Sequence, residues 1–177
     1  MRANKKQTAH NGRHRSKKNN PNGGVDGGLF AALDLGTNSC RMLIARPKGV
    51  EFEVVDAFSK PVHLGLGLAE YGTLAPAAIK RTLNALRVCG KKLRQHGVQH
   101  SRLVATEACR RAKNGSNFVN LVKRETGLNL EIIDTAEEAR LAVVSCAPHL
   151  RDDSDQLLIV DIGGGSTELV WLDLSTI

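Results

Sequence analysis

The chain has 177 residues, 41% hydrophobic and 3% aromatic, and a formal net charge of +7. That length holds one good domain and part of another. Scarce aromatic rings argue against a base-stacking surface, and no apolar run approaches the ~18 residues of a membrane span.

The charge is lopsided. Arg2, Lys5, Lys6, Arg13, Arg15, Lys17 and Lys18 meet no acid in the first 24 residues and account for the whole excess of 25 Lys and Arg over 18 Asp and Glu. Residues 1–28 hold almost nothing apolar and read as a disordered basic tail. It is either a solvated extension or a loose, salt-sensitive contact for a polyanion. It lacks the apolar region of a secretory signal. Cys40, Cys89, Cys109 and Cys146 have no metal-site spacing and read as reduced packing residues of a cytoplasmic protein.

Ordered structure is expected from residue 29. Leu29–Leu35, Arg41–Arg46 and Val50–Phe58 read as three strands, with Pro47-Lys48-Gly49 as the turn between the last two. Lys60–Leu68 reads as a loop. Pro76 opens a helix as its first residue, Ile79, Leu83, Leu86 and Leu93 give it an apolar face, and Gly97 ends it. Arg102–Thr106 is the next strand. Ser116 is expected to cap a helix running to Thr126, with Gly127 as its stop. Leu130–Ile133 is a short strand, and a third helix runs from Asp134 or Thr135 to Ala147. Two overlapping capping boxes, Asp134-x-x-Glu137 and Thr135-x-x-Glu138, compete for its start.

Residues 148–156 read as a linker. After it, Leu157–Val160 and Leu169–Leu172 flank Asp161-Ile162-Gly163-Gly164-Gly165-Ser166-Thr167-Glu168 as a hairpin. Three glycines allow close approach of backbone to a ligand and can form an anion-binding nest. The bracketing carboxylates Asp161 and Glu168 suggest a metal ion or an activated water. This stretch has an earlier copy. Residues 31–45 align without gaps on 158–172, placing Asp34 on Asp161, Gly36 on Gly163 and Ser39 on Ser166. Two copies of strand–Asp-x-Gly-x-x-Ser–strand imply a duplicated unit with one phosphate loop in each.

Four groups carry the chemistry. Gly36, Thr37, Asn38 and Ser39 offer donors to phosphate oxygens, and Arg41 adds a guanidinium fork beside them. Thr106–Asn114 starts at a strand end, where α/β folds place ligands, and brings Arg110 and Arg111. Glu137 and Glu138 offer either a helix cap or a general base. Asp161–Glu168 completes the set. With both loops on one cleft, Asp34, Asp161 and Glu168 supply oxygen for Mg²⁺, and catalysis comes from positioning and charge neutralisation.

The order β-β-β-α-β-α-β-α matches the ribonuclease-H-like lobe of the actin/hexokinase/Hsp70 superfamily, an α/β fold with a mixed sheet. Residues 29–147 form that lobe, and 157–177 begin an incomplete second one. A lone hairpin is marginal in water, so the chain reads as a fragment, or another segment completes the sheet.

Asp-Leu-Gly-Thr-Asn-Ser at 34–39, Thr-Glu-Ala-Cys-Arg-Arg-Ala-Lys-Asn at 106–114, Glu-Glu-Ala-Arg at 137–140 and Asp-Ile-Gly-Gly-Gly-Ser-Thr-Glu at 161–168 together resemble the exopolyphosphatase/guanosine pentaphosphate phosphatase (Ppx/GppA) family. The resemblance implies a Mg²⁺-dependent phosphoanhydride hydrolase acting on inorganic polyphosphate or guanosine pentaphosphate, often a homodimer when full-length. Carried over by position, Glu138 is the water-activating base and Glu168 a second catalytic carboxylate. Arg41 and Arg110 hold phosphates, with Gly36–Ser39 and Gly163–Ser166 as the phosphate loops. Asp34 and Asp161 support metal and water. Thr135 departs from the small residue, often Gly, that many members carry there. With most of lobe two absent, the chain alone is expected to have little activity. The competing readings are a sugar- or acetate-kinase-like phosphotransferase, a polyphosphate- or nucleotide-binding module without catalysis, and a nucleic-acid binder acting through the tail.

Overall fold

The computed structural model describes residues 28–146 and 155–173. The basic tail and most of the expected linker therefore lie outside the described residues. The elements are β1 (Phe30–Leu35), β2 (Ser39–Lys48), β3 (Glu51–Pro61), α1 (Leu68–Tyr71), α2 (Pro76–Gln95), β4 (His100–Ala105), α3 (Glu107–Arg111), α4 (Gly115–Thr126), β5 (Glu131–Ile132), α5 (Thr135–Cys146), β6 (Gln156–Ile162) and β7 (Thr167–Asp173). The first five strands form one mixed sheet in the order β3-β2-β1-β4-β5. β1 pairs antiparallel with β2 and parallel with β4. This is the expected α/β lobe.

Alternation in β1 and β2 decides which face is packed. Ala31, Leu33, Leu35, Cys40, Met42 and Ile44 are buried, under Leu83, Ala85, Leu86 and Cys89 of α2 and Phe118 and Val122 of α4. Each large aliphatic side chain removed from water contributes roughly 1.5–3 kcal/mol. The opposite face is thinly covered: an apolar cavity of about 500 Å³ lies there between Ala32, Leu43, Phe58, Val104 and Leu141 of α5.

The expected helix stops hold for a visible reason. Gly97 and Gly127 both take positive φ, 61° and 75°. Beyond Gly97, the Val98 amide donates to Leu93 O at 3.0 Å and closes the end of α2, a conformation glycine adopts without steric cost.

Several boundaries differ from expectation. Pro47 and Lys48 pair with Phe52 and Glu51, so the β2–β3 turn is Gly49-Val50. Pro47 is tolerated because β1 begins opposite Ala45 and leaves β2 an edge beyond it. Helix α4 starts at Gly115 after Asn114, one residue ahead of the expected cap Ser116, and Asn114 makes no side-chain cap bond. Its amide instead spans two chain segments, accepting from Leu74 N at 2.8 Å and donating to Leu74 O at 3.1 Å. The short helices α1 and α3 were not anticipated. At α5 the capping competition resolves: Asp134 Oδ1 accepts from Glu137 N at 2.8 Å.

Strands β6 and β7 form a separate two-stranded sheet that packs against α5. Its register repeats that of β1–β2. Asp34 stands opposite Arg41 and Leu35 opposite Cys40; Asp161 stands opposite Glu168 and Ile162 opposite Thr167. The duplication read from the sequence is therefore a duplication of register. The environments differ. Val160 and Ile162 are 51% and 76% exposed where their counterparts Leu33 and Leu35 are 1% and 0% exposed.

Candidate active site

Both Gly-rich turns close with the same hydrogen bond. Gly36 N donates to Ser39 O at 3.0 Å, and Gly163 N donates to Ser166 O at 2.9 Å. The first turn rests on the segment after β3. Val62 N and His63 N donate to Asn38 O at 2.8 and 3.0 Å, and Gly65 N donates to Thr37 O at 3.0 Å. A trans peptide opposes its C=O and N–H, so the amides of Asn38 and Ser39 turn away from that segment. Arg81 holds the segment in place by donating to Val62 O at 3.1 Å and His63 O at 3.3 Å.

The two turns meet tip to tip. A Cβ at Gly164 would lie 2.5 Å from Asn38 Nδ2, and one at Gly165 would lie 2.8 Å from Thr37 Oγ1 and against a Glu107 carboxylate oxygen. In the repeat Gly164 corresponds to Thr37 and Gly165 to Asn38, so each position touches the other's counterpart, as across a two-fold axis. Only glycine permits that approach.

A cavity of about 340 Å³ lies between the turns. It is lined by most of the expected site residues: Asp34, Gly36, Thr37, Asn38, Ser39, Arg41, Glu138, Asp161, Gly163, Gly164, Gly165 and Ser166. Two expected residues, Arg110 and Glu168, are not in the lining. Arg110 donates to Glu138 Oε2 at 3.0 Å and to Ile133 O at 2.8 Å. Glu168 pairs with Asp161 across the hairpin, near enough for its charge to act on Glu138. Three lining residues were given no role of their own, Thr106, Glu107 and Ile162. The signal for Glu107 was its place directly after a strand end.

The adjacent glutamates separate cleanly. Glu137 accepts from Arg140 at 2.6 Å and Arg102 at 2.7 Å, and these partners hold its carboxyl down to about 2. Glu138 faces the cavity, its side chain 16% exposed. Burial raises its pKa, Arg110 opposes that, and the charges of Glu168 and Asp34 raise it further. Asp34 is also raised, first by burial, with Arg41 opposing and Asp161 adding. An upward-shifted carboxylate in a cleft suits general-base work.

The lining holds four carboxylates, Asp34, Glu107, Glu138 and Asp161, against one guanidinium, Arg41. A phosphate chain meets net repulsion there without a cation. The oxygen donors fit a hard divalent ion such as Mg²⁺. No group of three or more His, Cys, Asp or Glu side chains gathers into a cage among the described residues. None of the described helices is long and apolar enough to cross a membrane. The four cysteines are free thiols.

A profile of the Ppx/GppA phosphatase family matches residues 43–177. Solved structures agree. A Ppx/GppA family member from Aquifex aeolicus is 32% identical with a TM-score of 0.72, covering 84% of this chain and 52% of that one. A second structure, of the Aquifex aeolicus PPX-GPPA enzyme, is 35% identical with a TM-score of 0.74 over 83% and 49%. An exopolyphosphatase from Cytophaga hutchinsonii is 27% identical with a TM-score of 0.77 over 82% and 47%. The chain thus spans about half the length of these relatives.

Proposed function

This chain belongs to the Ppx/GppA phosphatase family, and from that premise we propose that it builds the phosphate-holding part of a phosphoanhydride hydrolase site. The substrate is the terminal phosphate of inorganic polyphosphate or the 5′ γ-phosphate of guanosine pentaphosphate. The observation that carries this reading is the cavity between two copies of one Gly-rich turn, with Glu138 on its wall.

In this reading the turns Gly36–Ser39 and Gly163–Ser166 bind phosphate oxygens through backbone donors and the side chains of Asn38, Ser39 and Ser166, and Arg41 supplies a fork for the same charge. Glu138 takes the proton from a water whose oxygen attacks phosphorus while the anhydride P–O bond breaks. Arg110 holds Glu138 in place for that step, and Glu168 keeps the Glu138 carboxylate basic. Asp34 and Asp161 would hold Mg²⁺ through water; when bound, the ion supplies neutralisation of phosphate charge. The remaining contribution is positioning.

The test is phosphate release in Mg²⁺ from both substrates. The 177-residue chain is compared with a chain extended to the relatives' full length, each with Glu138→Gln as control. Release by the extended wild type that falls by about 10²–10⁴-fold in Glu138→Gln supports the reading, and the faster substrate names the activity. Binding of phosphate chains without turnover, or a rate indifferent to Glu138→Gln, assigns the site to binding alone.

A further inference from the structure

Glu107 is a buried carboxylate with no role in the reading above. Its side chain is 9% exposed. One oxygen accepts from Arg111 Nη1 at 2.7 Å, and the other accepts from Thr37 Oγ1 at 3.0 Å. That second oxygen also abuts Gly165. Three elements therefore meet at one carboxylate: the first turn through Thr37, α3 through Arg111, and the second turn through Gly165. α3 is itself a fixed platform. Its Thr106 start is tied to β1 by a 3.2 Å bond from Thr106 N to Leu35 O, and Gly115 packs directly on Cys109 O.

We propose that Glu107 is the positioning residue that joins the two Gly-rich turns, acting through Thr37. A threonine hydroxyl has one proton. Because Thr37 gives its proton to Glu107, Oγ1 presents only lone pairs elsewhere, and the first turn meets an anion with its amides and not with this hydroxyl. The bond also fixes Thr37 against Gly165, so the second turn has one seat on the first. Arg111 keeps the buried charge paired, without which burial would be costly. The inference rests on the phosphate-site reading for its purpose but not for its test.

That test is amide hydrogen exchange in the whole 177-residue chain, with and without inorganic tripolyphosphate. In the free chain, Glu107→Ala is expected to speed exchange about tenfold at Gly36 and Gly163, the amides that close the two turns, as for loss of a hydrogen bond to a charged group. Amides of Leu33, Leu86 and Val122 stay within about twofold. Thr37→Val gives the same pattern, and the double variant adds nothing further. Glu107→Gln, whose amide oxygen still accepts from Thr37, restores most of the protection. Faster exchange spread evenly over β1, α2 and α4, or confined to α3, overturns the proposal. So does an unaltered second turn in Thr37→Val. Tripolyphosphate reports separately: protection of both turns in the wild type supports phosphate binding, and its absence sinks that reading while the free-chain pattern still decides the role of Glu107.

Discussion

Arg41 and Glu168 occupy one and the same position in the two copies of the repeat. Each stands directly across a strand pair from the aspartate of its own copy, Arg41 opposite Asp34 and Glu168 opposite Asp161. The duplicated scaffold thus presents a cation on one side and a carboxylate on the other. In the proposed reading, Arg41 serves the phosphate charge and Glu168 acts on Glu138 through its own charge. Arg41→Gln is expected to weaken tripolyphosphate binding by roughly 10–100-fold, as for loss of a charge-assisted fork. Glu168→Gln removes a negative charge and should leave binding intact or tighter. Titration calorimetry on both variants checks this; equal losses would contradict the division of labour.

Glu137 and Glu138 should show opposite pH signatures. The folded chain holds the Glu138 proton more tightly than the unfolded chain does, chiefly because the group is buried. Its ionisation therefore weighs against folding as pH rises through its folded value. Glu138→Gln should raise the melting temperature at pH 7, with the gain fading in acid as the wild type protonates. Glu137 runs the other way. Arg140 and Arg102 lower it from 4.5 to about 2, so its stabilisation is present above its ordinary value and lost as pH falls toward 2. Glu137→Gln should lower the melting temperature at pH 7, and the deficit should shrink below pH 4.5. Melts of both variants from neutral pH into acid give the answer.

Gly164→Ala and Gly165→Ala place a methyl group where Asn38, Thr37 and Glu107 already stand. The turns must separate, and the cavity opens to water. Tripolyphosphate binding should fall at least about tenfold, while unfolding of the five-stranded lobe, whose core these glycines do not enter, stays nearly unchanged. A large loss of stability in either variant would show that the turn contact supports the fold and not the site.

Asn114→Ala should cost about 1–3 kcal/mol of stability by urea unfolding, because it leaves both backbone groups of buried Leu74 unpaired. Ser116→Ala should stay within about 0.5 kcal/mol, since the helix begins before it. The reverse ranking would restore Ser116 as the cap.

These cases mark how far the sequence could be read. The gap-free repeat was legible because strand alternation and turn glycines are local patterns, and equal spacing of Asp34, Gly36 and Ser39 forced an equal turn bond. Arg41 followed from its place beside the first turn, and Asp161 from its place at the head of the second. Glu107 was legible only as part of the Thr106–Asn114 stretch, with no role of its own. It sits beside two arginines that look like surface charge, and its partner Thr37 is 70 residues away in the chain. Asn114 looked like the end of a motif because its partner Leu74 is 40 residues distant. Both capping boxes fit the local sequence; the structure caps the helix with Asp134 on Glu137 N, while the Glu137 carboxylate pairs with Arg140 and with the distant Arg102.

The outward face of the β6–β7 hairpin carries Leu158, Val160, Ile162, Leu169 and Trp171, all more than half exposed. Their counterparts in the repeat are Ala31, Leu33, Leu35, Met42 and Ile44, which lie under helices. Trp171 is the chain's single tryptophan. Its fluorescence is therefore a built-in gauge of that face: red-shifted and open to a soluble quencher while the ribbon is wet, blue-shifted and shielded once an apolar layer settles on it.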